Sequence, residues 1–523
     1  MSKKGLKEKQ RERQLKQQRS EEAQQKRRES ESNKTPRRLP KRKIFLGIAL
    51  IAILLGVVLV WQFGIKTFTP VYIRSDGTVD PSGVAISNLG NSRYTFTGDV
   101  FGLLVVERDN IVIDGADFLL YGEVDTNSTG INLDGRSNVT ITNLRINDYL
   151  YGIFVKSGSN IVISKNTLTN EYGIGFDSSS TSTVTENNVS GCFGAVLLAQ
   201  SSNNYITKNI LDANNYSLNI DYGSSSNTIS ENVITNGEEA IYVSKASNNN
   251  SISENTLTNN KDAITVNQCL NTTVVGNTIT GGEGAIGLSY ASDSRIIDNN
   301  IINSNYGIIL TLNSESNTIF GNTIRNGGAG IRFSFSSHNN NVFENLLESN
   351  TEGITLDESS GNSIFGNTIT DCDGAIGLVY ATSNQITENN ITDNEYGFSI
   401  ISGSDSNTIA ENVIENSNVA IGFVNASHNQ VNGNTVVGNA FGVYLNTSTE
   451  NSFLSNSFIS NTNQAFSLGS PNTWNNENSG NFWSDYQEKY PDAQTIDPFI
   501  TWNTPYVVDG SNMDLYPLVN RET

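Results

Sequence analysis

The chain has 523 residues, a formal net charge of −20, and only 3 Cys and 2 His. That length exceeds one ordinary compact core, so the sequence predicts several domains or a repeat array. So few Cys and His residues exclude a disulfide framework and a thiolate zinc cluster.

Residues 1–43 form a basic tail that differs in charge from the rest of the chain. They hold 17 Lys and Arg against 6 Asp and Glu, a net charge of +11. Residues 44–523 hold 16 against 47, a net charge of −31. A polar, basic tail is typical of a cytoplasmic segment beside anionic lipid. We expect no nucleic acid to bind the acidic part, because phosphate contacts need a basic surface.

Residues 44–65 are predicted to form one transmembrane helix. No charged or polar side chain occurs in the 18 residues from Ile44 to Trp61, and the segment can span roughly 30 Å. Three basic residues precede it and one follows, so we expect a single-pass membrane protein with a cytoplasmic N-terminus and an extracellular or periplasmic body. A cleaved secretory signal is the alternative, but its apolar core would be shorter.

One Asn column recurs through most of the acidic part. Apolar residues lie three positions before and two positions after each Asn, and a third short strand such as "GAIGL" or "FGVYL" follows. Three strands in about 22 residues leave no room for a helix, so the pattern predicts stacked coils of parallel β-structure. The steps of 21 to 23 residues connect Asn166, Asn187, Asn209, Asn232, Asn255, Asn277, Asn299, Asn322, Asn345, Asn367, Asn389, Asn412, Asn434 and Asn456.

The predicted architecture is therefore all-β, a parallel β-helix of about 16–18 coils that follows the transmembrane helix. Residues 66–136 would start and cap the solenoid, residues 137–470 would form the repeats, and residues 471–523 would form an aromatic C-terminal cap. The Asn column lies between two inward apolar columns, which favours a structural ladder of buried side chains over a polar ligand stripe.

The repeats resemble those of the right-handed parallel β-helix family with the pectin-lyase-like fold. More closely, they are similar to the NosD-type and "carbohydrate-binding and sugar-hydrolysis" repeats of archaeal surface proteins. "VERDNIVIDGADFLLYG" resembles the family's N-terminal segment and "GNFWSDY" its C-terminal closing segment, so the resemblance covers roughly residues 68–520. It implies the fold, but binders, enzymes and structural rods share that fold.

Enzymes of this family are expected to use outward carboxylates on one sheet. The third strand of each repeat is expected to have one central side chain that points outward. The column of these side chains carries no Asp or Glu, and it is predicted to include Phe154, Val196 and Ser467. Three acids follow that strand as the only catalytic candidates: Asp177, Asp221 and Asp357. The first two are two coils apart, roughly 10 Å, which is wide for an acid–base pair. An Asp that caps a turn is the simpler interpretation.

Metal ligands are scarce. NosD resemblance implies a link to copper delivery, but His338 and His428 are four coils apart, roughly 20 Å, and cannot share one ion. The acidic segments "DCDGAIGL" and "EGITLDES" leave calcium open, although they lack the alternating ligands of a calcium loop. We therefore expect no resident cofactor, and copper is disfavoured.

Three of the four Trp residues lie near the C-terminus: Trp474, Trp483 and Trp502. The open end of a solenoid must be covered by a cap. We therefore interpret these tryptophans as part of a cap, and an aromatic platform for glycan rings is the alternative.

Together these features favour a membrane-anchored, extracytoplasmic β-helix rod that binds cell-surface carbohydrate, mediates adhesion or supports the envelope. Two alternatives stay open, a polysaccharide lyase, hydrolase or epimerase and a NosD-like copper-handling accessory protein. The absence of a predicted acid cluster disfavours the enzyme. The sequence does not predict the oligomeric state.

Overall fold

The computed structural model describes residues 68–123, 128–468, 471–496 and 500–521. The basic tail at residues 1–43 and the predicted transmembrane helix at residues 44–65 lie outside these ranges. Within them, no helix has both the length and the apolar character that a membrane span requires.

Each coil contributes one strand to each of three parallel sheets, which we name sheets 1, 2 and 3 in the order in which one complete coil of the repeat region passes through them. One complete coil consists of Val162–Ser164, Thr167–Thr169 and Tyr172–Asp177. Each of these strands pairs in register with the strand of the next coil. The predicted right-handed parallel β-helix is confirmed, with about 18 coils.

Sheet 1 consists mostly of three-residue strands. Its parallel strands are Arg93–Phe96, Ile111–Asp114, Val139–Thr142, Val162–Ser164, Thr183–Thr185, Tyr205–Thr207, Thr228–Ser230, Ser251–Ser253, Thr273–Val275, Arg295–Ile297, Thr318–Phe320, Asn341–Phe343, Ser363–Phe365, Gln385–Thr387, Thr408–Ala410, Gln430–Asn432 and Ser452–Leu454.

Sheet 2 also consists of short strands. They are Leu119–Tyr121, Arg145–Asn147, Thr167–Thr169, Asn188–Ser190, Ile210–Asp212, Val233–Thr235, Thr256–Thr258, Thr278–Thr280, Asn300–Ile302, Thr323–Arg325, Leu346–Glu348, Thr368–Thr370, Asn390–Thr392, Val413–Glu415, Thr435–Val437, Ser457–Ile459 and Phe482–Trp483.

Sheet 3 has the longest strands, most of them with six residues. They are Thr69–Ile73, Val100–Val106, Thr129–Asn132, Tyr151–Lys156, Tyr172–Asp177, Gly194–Ala199, Tyr216–Asp221, Glu239–Ser244, Asp262–Asn267, Gly284–Ser289, Tyr306–Thr311, Ala329–Phe333, Glu352–Asp357, Gly374–Val379, Tyr396–Ile401, Val419–Val424, Phe441–Asn446 and Asn463–Ser467.

The remaining elements lie near the two ends of the solenoid. Val79–Asp80 pairs antiparallel with the first strand of sheet 3, and Ile86–Leu89 pairs antiparallel with the first strand of sheet 1. Near the C-terminus lie a one-turn helix and two antiparallel pairs: Tyr486–Lys489, Thr495–Ile496 with Thr501–Trp502, and Tyr506–Val507 with Met513–Asp514. Parallel pairing between coils begins near the N-terminal end of the described chain, where Thr69–Ile73 pairs with Val100–Val106.

The core is a stack of aliphatic side chains from all three sheets. In one coil these are Ile163, Leu168 and Ile174, all buried, and the same positions repeat in the coils on either side. β-branched residues pack well on such a pleated inner surface. Each coil covers the apolar face of its neighbours, so the stability comes from stacking.

The Asn column lies in the turn between sheets 1 and 2, where its side chains are buried. The backbone N–H and the Nδ2 of Asn322 both donate to Oδ1 of Asn345, at 2.9 and 3.0 Å. Its Nδ2 also donates to the carbonyl of Ile296, one coil earlier. The residue before the Asn adopts a left-handed backbone, which suits glycine in coils such as that of Gly321.

Two further ladders occupy the other two turns, and neither was predicted. The turn between sheets 3 and 1 holds Asn204, Asn227 and Asn250, and then Asn317, Asn340, Asn362, Asn384, Asn407, Asn429, Asn451 and Asn472. The turn between sheets 2 and 3 holds Asn170, Asn214, Asn260, Asn350, Asn394, Asn439 and Asn461. Two buried cysteines, Cys192 and Cys372, replace Asn in this third ladder and donate their backbone N–H groups to the next Asn.

An aromatic cluster covers the C-terminal end of the core. The ring of Trp483 stacks on Phe458 at 4.6 Å and on Tyr506 at 4.1 Å between centroids. Its Nε1 donates to the carboxylate of Asp514, which also accepts the backbone N–H of Asn481 at 2.7 Å. Because the first Asn ladder continues from Asn456 to Asn481, the cap extends the ladder as well as the apolar core.

Asp514 should make the stability of this cap depend on pH. Burial raises the pKa of its carboxyl group to about 6, although the donors from Asn481 and Trp483 oppose the shift. The folded cap holds this proton more tightly than the unfolded chain does, so the stabilisation is complete below about pH 4 and is lost as the pH rises through about 6. We expect a loss of about 3 kcal/mol, measured by denaturant unfolding with Trp fluorescence between pH 4 and 7.

The Asp514→Asn variant cannot ionise and is the control for this prediction. Its cap should show a much flatter stability profile over the same pH range. If the variant keeps the wild-type slope, another group is responsible for the pH dependence.

Candidate functional site

The outward face of sheet 3 presents three side-chain positions per strand, at its start, centre and end. The strand pairing places Leu197 and Phe466 in the central outward column. The expected residues Val196 and Ser467 do not lie there, and Val196 is completely buried. The sequence "GAVLLA" is apolar on both faces, so it does not determine which residue points outward.

A trough runs along this face across the coils from Tyr216 to Thr311. It consists of two adjoining depressions of about 490 and 430 Å³, which share Lys261 and Asp262 as lining residues. Three tyrosines line it: Tyr216, Tyr242 and Tyr306. At Gly287 there is no side chain to fill the trough, and an added Cβ would meet no atom within 4 Å.

A second stretch of trough continues on the same sheet towards the C-terminus. Its two depressions, of about 340 and 360 Å³, share Tyr396, Ser399 and Ile401. Phe441 and Tyr444 complete the aromatic lining. The strand Ala329–Phe333 lies between the two stretches.

An unpredicted pair of carboxylates lies in the first stretch. Glu239 and Asp262 occupy the same position on adjacent coils, so their backbones are about 4.8 Å apart. Burial raises the pKa of both groups. The Glu239 pKa is lowered in part by a hydrogen bond from Thr265 and raised by the charge of Asp262.

This pair corrects the expectation that no two acids lie side by side on this face. Both acids stand at the first position of their strands, in "GEEAIYV" and "NKDAITV", and not at the central outward position. In the sequence, both acids stand directly before "AI" in neighbouring repeats. This shared position is the feature from which the pair could have been predicted.

The three predicted acids do not form a catalytic pair. Asp177 and Asp221 share one column, with Ala199 between them. Asp221 lies in the trough wall, where Lys245 Nζ contacts its carboxylate at 2.6 Å and Ser244 donates a hydrogen bond. Asp357 forms an ion pair with Arg332 at 3.7 Å. Each of the latter two is thus neutralised by its own basic partner.

Two family models match the sequence of this chain. The model described as "Right handed beta helix region" matches residues 102–257. The model described as "Periplasmic copper-binding protein (NosD)" matches residues 222–352, 313–422 and 400–488, which together span just over half of the chain. The chain belongs to the NosD family of β-helix repeat proteins.

Several solved structures resemble the NosD-type solenoid at low identity. The A-module of Azotobacter vinelandii mannuronan C-5 epimerase AlgE6 is 12% identical, with 63% of this chain and 90% of that chain covered and a TM-score of 0.37. The exopolygalacturonase of Thermotoga maritima is 10% identical, with 49% and 68% covered and a TM-score of 0.29. The DFA-IIIase of Arthrobacter chlorophenolicus is 12% identical, with 53% and 83% covered and a TM-score of 0.34. No curated protein matches the chain.

The described part of this NosD-type chain does not fit a copper site. His338 Nδ1 accepts the backbone N–H of Ser360, and His428 Nε2 contacts the carboxylate of Glu450 at 2.7 Å. In the ranges that the structure covers, no three His, Cys, Asp or Glu side chains converge on a point where an ion could bind.

The tryptophans do not form an exposed platform in the NosD-type solenoid. Trp474, Trp483 and Trp502 are 1%, 1% and 9% exposed. The glycan-platform hypothesis is therefore wrong, because rings buried in the cap cannot stack on a sugar. Partly exposed aromatic side chains line the trough on sheet 3, and Tyr396 is the most exposed of those described there, at 40%.

Proposed function

We propose that the solenoid binds an extended polysaccharide outside the cytoplasm, along the trough on sheet 3. The observation that carries this proposal is the linear trough itself, which is lined by tyrosines and floored by glycine. Tyrosine offers an apolar ring face and a polar hydroxyl group in one rigid side chain, which suits the mixed surface of a sugar ring.

A polymer fits this trough better than a compact ligand does. Tyr216 and Tyr306 are four coils apart, roughly 19 Å along the solenoid. The coils repeat at about the length of one sugar unit in an extended chain, so successive units meet equivalent positions. Asn219, Thr265 and Ser289 supply polar side chains along the same path.

The proposed location follows from charge and family. The family description includes the word "periplasmic", which supports placing the solenoid outside the cytoplasm. We propose that residues 44–65 anchor it to the membrane and that residues 1–43 remain in the cytoplasm, since basic residues precede the apolar segment.

Replacing Tyr242 by Ala should weaken polysaccharide binding about tenfold, because the variant loses an aromatic surface in the central outward column of the trough. The measurement is titration calorimetry of the full-length protein with ligands found on a glycan array. Tyr205→Ala is the matched control, since Tyr205 lies on sheet 1 and is 53% exposed. Equal affinities for the two variants would contradict binding in the trough.

A polysaccharide-cleaving enzyme is the second candidate, and Glu239 and Asp262 favour it. Their coil-to-coil spacing is close to the separation of about 5 Å that retaining glycosidases use between two carboxyl groups. Release of new reducing ends during the binding measurement would support cleavage over binding alone.

A further inference from the structure

The trough between Tyr216 and Thr311 is lined by more acids than bases. Its lining includes Asp221, Glu238, Glu239, Asp262 and Glu283, but only two basic residues, Lys245 and Lys261.

Both lysines are already engaged by acids. Lys245 Nζ lies 2.6 Å from the carboxylate of Asp221, and Lys261 Nζ lies 3.4 Å from that of Glu238. In the part of the chain that the structure describes, Glu239 and Asp262 have no ion pair within 4.0 Å.

These two acids are also poorly placed for screening by solvent. Both are only partly exposed, on adjacent coils, and each faces another acid nearby. Burial is the main cause that raises the pKa of both groups, and the charge of Lys261 lowers both in part. The charge of Asp262 adds to the rise at Glu239, and the charges of Glu283 and Glu238 add to it at Asp262. A half-buried pair of like charges produces a negative potential that salt weakens less than it would on an open surface.

We propose that Glu239 and Asp262 exclude from the trough polymers that carry a carboxylate on each sugar, so that neutral polysaccharides bind in preference to polyuronates. This inference rests on the proposed function and names the ligand class of the same site. A polyuronate would bring its carboxylates against the acid pair, and both lysines that line the trough are already paired with other acids. Juxtaposed like charges are an effective means of rejecting a wrong partner.

The test compares matched neutral and charged polymers with the full-length protein. The probes are polygalacturonate and its methyl ester, and carboxymethyl cellulose and hydroxyethyl cellulose. We expect the wild type to bind at least one neutral polymer roughly tenfold more tightly than its charged counterpart. The double variant Glu239→Gln/Asp262→Asn should lose most of this preference by gaining affinity for the charged polymer.

The control Glu254→Gln/Glu344→Gln makes the same change in net charge. Both residues are exposed in turns between sheets 1 and 2, away from the trough. This variant should keep the wild-type preference. If it relaxes selectivity equally, the effect comes from the overall charge and the proposal is wrong.

The remaining outcomes separate this inference from the proposed function. If the wild type binds the charged and neutral polymers equally, or only the charged ones, the inference fails and polysaccharide binding stands. If neither wild type nor double variant binds any polymer on the panel or on the array, both fail.

Discussion

Replacing Asn389 by Leu is expected to lower the free energy of unfolding by about 3 kcal/mol, because buried polar groups lose their partners. The Oδ1 of Asn389 accepts the backbone N–H and the Nδ2 of Asn367, at 3.0 and 2.9 Å. Its Nδ2 donates to the carbonyls of Ile364 and Thr387 and to Oδ1 of Asn412. A leucine side chain can replace none of these bonds.

The adjacent Asn390 provides a closely matched control. It is exposed at an outward position of sheet 2, so Asn390→Leu should change the stability by less than about 0.5 kcal/mol. Neighbouring coils of a solenoid can unfold separately. We therefore expect hydrogen exchange to accelerate mainly in the coils around residue 389. Similar exchange in the two variants would show that the ladder contributes little to stability.

Replacing Trp483 by Ala is expected to destabilise the C-terminal cap by about 4 kcal/mol, within the range for removal of a large buried aromatic ring. The variant loses the stacking on Phe458 and Tyr506 and leaves Asp514 without its indole donor. With the cap loosened, the last coils expose sheet edges and apolar side chains, which promotes association between molecules. Limited proteolysis and size-exclusion chromatography measure these two effects.

The conservative variant Trp483→Phe separates stacking from hydrogen bonding. It keeps an aromatic ring between Phe458 and Tyr506 but has no donor for Asp514. We expect a loss between those of the wild type and the alanine variant. Wild-type resistance to proteolysis in Trp483→Ala would show that the cap is not needed to protect the coils.

Much of the fold was predictable because the repeat imposes the same constraint many times. The periodic Asn column and its apolar neighbours identified the coil, the strand order and the approximate coil number. The first ladder was followed only to Asn456, because the step to Asn481 is 25 residues and lies outside the regular interval. The other two ladders have less regular composition, since Ser, Thr, Gly or Cys replaces Asn in several coils.

The candidate site was harder to predict, because it depends on which side chains point outward and how they combine across coils. A displacement by one residue put Val196 in place of Leu197 in the outward column. The acid pair was missed because Glu239 and Asp262 are 23 residues apart and neither is unusual within its own repeat. Their proximity is a property of the strand pairing, which composition alone does not show.

The direction of the hydrogen bonds in the Asn ladders gives the solenoid an electrical polarity. N–H groups of one coil donate to the amide oxygen of the following coil, as from Asn434 to Asn456, so the amide dipoles add as peptide dipoles do in an α-helix. The C-terminal end of each column therefore carries N–H donors and a partial positive charge. There, Asn481 donates to Asp514 and Asn512 donates to Asp509. These acids correspond to the aspartates that cap helix N-termini, so a β-helix truncated before them would end in uncompensated partial charge.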